Sequence, residues 1–242
     1  MITVALPIYN SQKIAWLCLE SLCRQKTNDN WELIIAEELF NNIGRKYIMS
    51  YADRLEKAGC VNIKYIEVLH KITLTEKWYL LFHNAAKNSK MICLCAADNY
   101  YSRDMIQRSA MAYCDDIDWL YSDIGYFYDF ISDITVRYMK VDIVGLQMSL
   151  NTKLALKIPN FKKNSIIDRW LYKMADPKRK LSYHSEYTLC THGFNNISVN
   201  RGKFFNPVKE PFYSTSKTYK DIVPDSIANR INELKHETSF NN

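Results

Sequence analysis

Apolar and polar positions fall into blocks along the first half of the chain, and the period of the pattern switches from block to block. Ile2-Thr-Val-Ala-Leu-Pro7-Ile-Tyr9-Asn10 is a nearly continuous apolar run broken at Pro7, the pattern of a first strand buried on both faces. Ser11 stands where it would cap a helix carrying Ile14, Leu17, Cys18, Ser21 and Leu22 on one face. Trp31-Glu-Leu-Ile-Ile-Ala-Glu37-Glu38 predicts a second strand that ends in acids. Tyr47, Ile48, Tyr51, Ala52 and Leu55 then recur at helical spacing, with Gly59 placed as the stop. Residues 62–68 predict a third strand, and residues 75–86 a helix with Trp78, Leu81, Phe82 and Ala85 turned inward. The run Met91-Ile-Cys-Leu-Cys-Ala-Ala carries no charge and ends abruptly at Asp98, which predicts a fourth strand buried on both faces.

Strands alternating with helices imply right-handed crossovers and a mainly parallel sheet. In such sheets the ligand crevice lies just beyond the carboxyl ends of the strands, so Asp98 would stand at its rim. The plainer alternative is a loop acid capping the helix near residues 104–114. Beyond that helix the pattern changes. Residues 119–130 and 134–139 read as two strands around a polar turn, paired antiparallel. A helix is predicted over 167–174, broken at Asp176-Pro177, and residues 181–190 read as one further strand. Residues 224–237 offer a short helix with Ile227, Ile231 and Leu234 in line. The expected organisation is one α/β domain over residues 1–204, in two halves at 1–106 and 107–204. A loosely organised tail with a short helix follows at 205–242.

At 242 residues and 48% hydrophobic content, the chain is long enough for a proper core and ordinary for a globular protein. No apolar run approaches the roughly 18 residues that span a bilayer, and no secretory leader pattern opens the chain. A cytoplasmic protein is therefore expected, in the host cytoplasm were the chain viral. The seven cysteines are odd in number, scattered and mostly within apolar runs, which predicts free, buried thiols rather than a redox or zinc pair. Between residues 137 and 180 eleven Lys and Arg face three acids, a local excess larger than the net charge of +6 for the whole chain. Such a segment is either a solvated basic face or a surface that meets a polyanion or a phosphate.

Val4-Ala-Leu-Pro7-Ile-Tyr9-Asn10, followed by Ser21-Leu-Cys-Arg-Gln25, resembles the opening of the family 2 glycosyltransferases of the GT-A fold. Trp31 to Glu38 matches that family's second strand, Asn84-Ala85 its Asn-x-Ala helix, and Ala96-Ala97-Asp98 falls where the family carries Asp-x-Asp. The likeness covers residues 2–106 and is thin thereafter; it implies that 1–106 is the nucleotide-sugar-binding half and 107–204 the acceptor-binding half. It implies a GT-A fold, a nucleotide-sugar donor (most simply UDP-linked), a divalent cation (Mn2+ or Mg2+) and an inverting transfer of the sugar to an acceptor hydroxyl. A leaving nucleoside diphosphate carries several negative charges, which a cation held by hard oxygen ligands neutralises.

On that resemblance Asp98 is assigned to the metal. His192, in Thr191-His192-Gly193, joins it as a ligand brought from the C-terminal side; a satisfied structural histidine is the alternative. Pro7, Tyr9, Asn10, Glu37, Glu38, Lys77, Asn84 and Ala97 are assigned to the donor. Lys77 would meet phosphate as a point charge, and Glu37 or Glu38 would read the base or ribose. Asp168, the only acid between Asp142 and Asp176, is the expected general base; an N-cap for its helix is the other reading. The sequence departs from the family at Ala96, which replaces the first Asp, and at Glu37-Glu38, which replaces Asp-Asp.

The expected acceptor is a glycan. Two alternatives remain: a viral-type DNA glycosyltransferase acting on a hydroxylated base, for which the basic segment would meet duplex, and a non-catalytic nucleotide-sugar-binding module. A nucleotidyltransferase would carry a glycine-rich loop after the first strand, where this chain has Tyr9-Asn10-Ser11-Gln12.

Overall fold

The computed structural model describes residues 1–40, 43–130, 132–139, 147–159, 167–185, 187–192 and 212–239. The main sheet is built from β1 (Ile2–Ile8), β2 (Trp31–Glu38), β3 (Cys60–Val68), β4 (Met91–Leu94), β6 (Trp119–Ser122), β9 (Met148–Asn151) and β10 (Lys180–Tyr183), in the order β10-β6-β9-β4-β1-β2-β3. All of its pairings are parallel except those of β9, which runs against both β4 and β6. Every residue of β1 and β2 is buried, as their unbroken apolar runs require of central strands. The edge strand β3 instead exposes Val61, Asn62, Lys64 and Glu67.

One face of this sheet is covered by α1 (Ala15–Leu22), α3 (Ala52–Lys57) and α5 (Met105–Cys114). Val4, Leu6, Ile8, Leu33 and Ile35 pack there against Ala15, Cys18, Leu19, Leu55 and Met105. The other face is covered by α4 (Leu74–His83), α6 (Thr152–Ala155) and α7 (Ile167–Met174), with Ala5, Ile34, Ile92 and Leu94 against Trp78, Leu81, Phe82, Leu154 and Leu171. The expected mainly parallel α/β architecture is what the chain forms.

A second sheet, ordered β12-β8-β7-β11-β5, contains β5 (Asn99–Tyr100), β7 (Ile124–Asp129), β8 (Ile134–Met139), β11 (Leu189–His192) and β12 (Phe212–Ser214). Here the sequence pattern misleads in two places. Residues 119–130 are not one strand: β6 lies in the main sheet and β7 in the second, with the switch at Asp123. Residues 181–190 divide in the same way into β10 and β11. The two segments cross between sheets side by side, since β6 pairs parallel with β10 and β7 pairs parallel with β11. Hydrogen bonds from Asp123 N to Tyr183 O (3.1 Å) and from Tyr126 N to Thr188 O (3.0 Å) hold them together through the change. The second sheet thereby stands over the carboxyl edge of the first.

Smaller differences are local. The helix expected around Tyr47–Leu55 is broken into α2 (Arg45–Met49) and α3 at Ser50-Tyr51. Ser11 meets the start of α1 through its carbonyl, which accepts from Ile14 N and Ala15 N, while its hydroxyl turns to Tyr9 O. The C-terminal helix α8 (Asp225–Ser239) lies where residues 224–237 predicted it, and it is part of a core. Ile227, Ala228 and Ile231 pack with Ile14, Trp16, Leu17, Tyr126 and Tyr128, and the guanidinium of Arg230 lies 4.2 Å from the Trp16 ring centroid. All seven cysteines are free thiols, five of them buried.

Candidate active site

The strand order makes β1 the point at which the sheet reverses direction: β2 and β3 are added on one side of it, β4 and later strands on the other. A crevice at the carboxyl ends of β1 and β4 follows from that topology. Pro7 marks its floor. Ala5 O accepts from Cys95 N at 3.0 Å, so Ala5 turns its polar groups toward β4, and Pro7, two residues on, turns the same way. The β1–β4 pairing ends at Ala5 and Leu94, so the N–H that proline lacks has no ladder partner to lose. Beyond this point Tyr9 and Asn10 form one lip. Asn10 adopts φ 48°, the left-handed region in which Asn is among the few tolerated side chains.

The other lip is residues 95–98. Ala96 N donates to the Tyr101 hydroxyl at 2.6 Å, and Asn99 Nδ2 approaches the same oxygen at 3.3 Å. Asp98 is half-buried in the turn that follows, with its main-chain carbonyl accepting from Thr191 N (3.2 Å) and Thr191 Oγ1 (2.6 Å). This clamp is carried by β11, which pairs Cys190 with Asn99 on β5 and His192 with Asp129 on β7. The backbone of His192 is therefore one residue past the position opposite Asp98. The His192 side chain lies outside the described residues. Cys190, buried beneath, keeps its thiol well above the ordinary value because burial disfavours the thiolate and the Asp98 charge adds to the effect.

Glu37, Glu38 and Lys77 are all buried and engaged with protein groups. Glu37, 1% exposed, accepts from Ile43 N (2.6 Å), Gly44 N (3.2 Å) and Tyr65 OH (2.7 Å). Burial outweighs these bonds and holds its carboxyl above the usual range. Glu38 accepts from Ile72 N at 3.1 Å and pairs with Lys77 at 3.3 Å. Lys77, 2% exposed, also donates to Ile8 O at 2.8 Å, and its ammonium lies 4.9 Å from the Tyr9 ring centroid. Burial lowers the Lys77 pKa, and the nearby Glu38 and Glu37 charges oppose that fall. The lysine thus ties the ends of β1 and β2 to the first turns of α4, whose capping box at Thr73 and Glu76 fixes its start.

Pro7, Tyr9, Asn10, Glu37, Glu38, Lys77, Ala97 and Asp98 are brought to one edge. Asn84 is not. It ends α4 near the opposite edge, where its side chain donates to Leu80 O and accepts from Lys64 Nζ at 2.9 Å each. Asp168 is in the first turn of α7, whose last turn leads through residues 176–179 to the start of β10; Asp168 is thus at the helix end farther from the amino edge of the sheet. Its side chain lies outside the described residues. Gln25, part of the Ser-Leu-x-x-Gln run, is a structural clamp: its amide donates to Ser102 O (2.8 Å) and accepts from Ile106 N (3.2 Å). Sequence reading missed Tyr101 and Thr191, the two side chains that set the Asp98 turn. Thr191 acts from a distant strand and Tyr101 across the turn of residues 96–101, so no periodic pattern of neighbouring positions marks either.

The described part of the basic segment lies mainly away from this edge. Lys153, Lys157, Lys173 and Lys178 are exposed on α6, α7 and their turns near the amino edge, and Arg179 pairs with Asp116 and Asp118. Among the described residues no three His, Cys, Asp or Glu stand together as a cation cage. A hard cation such as Mg2+ or Mn2+ takes carboxylate oxygen together with water and substrate phosphate, and Asp98 is a residue at this edge whose chemistry suits one. No helix of the described residues is long and apolar enough to cross a membrane.

No protein-family profile and no curated protein sequence matches the chain. Solved structures do. Residues 1–349 of S. aureus TarS in complex with UDP-GlcNAc align with a TM-score of 0.59 at 15% identity, over 79% of this chain and 58% of that one. The same protein in complex with UDP aligns at 0.60 and 15%, over 79% and 60%. Mannosyltransferase PcManGT from Pyrobaculum calidifontis, in complex with GDP-Man and Mn2+, aligns at 0.56 and 11%, over 79% and 56%. The chain spans less than two thirds of the length of each. At these identities the likeness shows the fold, and the fold is GT-A.

Proposed function

We propose that the chain is a metal-dependent, inverting glycosyltransferase of the family 2 type, which moves a sugar from a UDP-linked donor to a glycan hydroxyl. The observation that carries this reading is the crevice where β1 and β4 part, with the half-buried Asp98 at its rim and the backbone of His192 drawn beside it by β11. Its support from outside the chain is that proteins of this fold have been solved with UDP-GlcNAc and with GDP-Man and Mn2+.

In this reading Tyr9 and Asn10 receive the nucleoside at the β1 lip, and the polypeptide at Ala96 and Ala97 leaves room for the donor to lie close to the strand end. Glu38 and Lys77 keep the β1 lip in place from below and do not touch phosphate. Asp98 and His192 would hold the cation, which when bound neutralises the charge that develops on the departing nucleoside diphosphate. Asp168 accepts the proton of the acceptor hydroxyl as the new bond forms.

The test is calorimetric titration with UDP, with and without Mn2+, followed by a donor-hydrolysis assay. Cation-dependent UDP binding that Asp98→Asn removes is the expected result. Binding that ignores both the cation and Asp98 would overturn the reading, whereas binding without turnover would leave a nucleotide-sugar-binding module.

A further inference from the structure

We infer that the tips of the loops after β2 and β3 form a docking surface for an anionic lipid bilayer, which would set the crevice beside the membrane. The two consecutive acids at the end of β2 each anchor the return of one loop. Glu37 accepts from Ile43 N and Gly44 N, where the chain leads into α2, and Gly44 stands at φ 79°. Glu38 holds Ile72 N, closing the excursion that begins at Leu69. Leu39 N donates to Val68 O at 2.9 Å, which joins the two loops at their bases.

The anchored loops present apolar side chains to solvent. Phe40 is 68% exposed, Leu69 70% and Leu39 43%. Large apolar groups gathered at adjacent, anchored tips mark an interaction surface rather than scattered surface residues. The residues beside them indicate the occupant. Arg45, Lys46 and Lys71 are exposed next to the tips, as is the imidazole of His70; among the described residues of these two segments the exposed carboxylate is Glu67. An apolar point flanked by cations matches the acyl boundary of a bilayer whose headgroups are anionic. The inference does not depend on what the crevice binds.

The test is co-sedimentation of the full chain with vesicles of phosphatidylcholine alone and of equal parts phosphatidylcholine and phosphatidylserine. The expected result is binding to the anionic vesicles that weakens with added salt, with little binding to phosphatidylcholine. Phe40→Asp with Leu69→Asp should lower the partition at least about tenfold at unchanged Tm, since both side chains are exposed. Lys46→Glu with Lys71→Glu should weaken it as well. A wild-type chain that stays in the supernatant, equal binding to both vesicle types, or a Phe40/Leu69 double variant that pellets like wild type would each overturn the inference. So would a dimer in light scattering that the same two substitutions dissolve, which would assign the tips to a second copy of the chain. UDP titration of the double variant keeps the outcomes apart, because a failed vesicle assay with intact nucleotide binding rejects only the membrane surface.

Discussion

Lys77 and Glu38 form an ion pair of 3.3 Å in which both side chains are almost wholly withdrawn from solvent, and the lysine reaches on to the carbonyl oxygen of Ile8. Two charges are kept out of water to bind three elements together at the carboxyl edge. Removing one partner leaves the other charged and buried, which costs about 3–5 kcal/mol, whereas an apolar pair of similar volume can restore much of it. Lys77→Met should therefore destabilise the fold by about 3 kcal/mol. Lys77→Met with Glu38→Leu should be more stable than Lys77→Met alone. Urea unfolding of the two variants measures this; equal stabilities would show that the pair is not the strut described.

Glu37 makes a pH-dependent contribution of known sign. Its folded carboxyl titrates above the ordinary 4.5 because it is buried. Just above that pH the folded state keeps a proton that the unfolded state has released. The contribution of Glu37 is full below 4.5 and is lost as pH rises through the folded value. Glu37→Gln keeps an acceptor and does not titrate. The stability of wild type relative to this variant should fall as pH rises from 4.5, read from urea midpoints at several pH values.

Asp98→Asn leaves the main-chain bonds of residue 98 to Thr191 in place. The variant should lose the extra Tm that UDP and Mn2+ together confer, measured against its own unliganded Tm, and lose turnover by about a hundredfold or more, the scale of a bound cation's contribution.

Asp168→Asn separates binding from proton transfer. Donor affinity by calorimetry should be unchanged and kcat should fall by about 10²–10⁴. Unchanged turnover would remove Asp168 from the reaction.

Gly59 carries a stability prediction remote from the site. It adopts φ 91°, and a Cβ there would sit 3.4 Å from Trp31 Nε1. Trp31 is buried and donates to Ala58 O at 2.8 Å. Gly59→Ala should cost about 1–2 kcal/mol in urea unfolding with UDP affinity unchanged.

Much of this architecture is legible in one dimension because the first half of the chain is built from local rules. Apolar runs long enough for a strand, helical stripes between them and acids at strand ends are patterns of neighbouring residues. They predict β1 to β4, the crossovers and the edge where Asp98 stands. Beyond residue 118 the same rules find β8, α7 and α8 but not which sheet each strand joins. Trp119 to Phe130 is one apolar stretch in the sequence, yet it is cut at Asp123 because β10 and β11 accompany it from one sheet to the other. Likewise, the sequence offers Lys77 as a point charge for the donor phosphate. Only the convergence of Ile8, Glu38 and Tyr9, drawn from two other strands, makes it a buried strut. The order of residues decided which segments pair with solvent or core, since that depends on periodicity alone. Tertiary structure decided which charges meet, because burial and partner geometry are set by strands far apart in the chain.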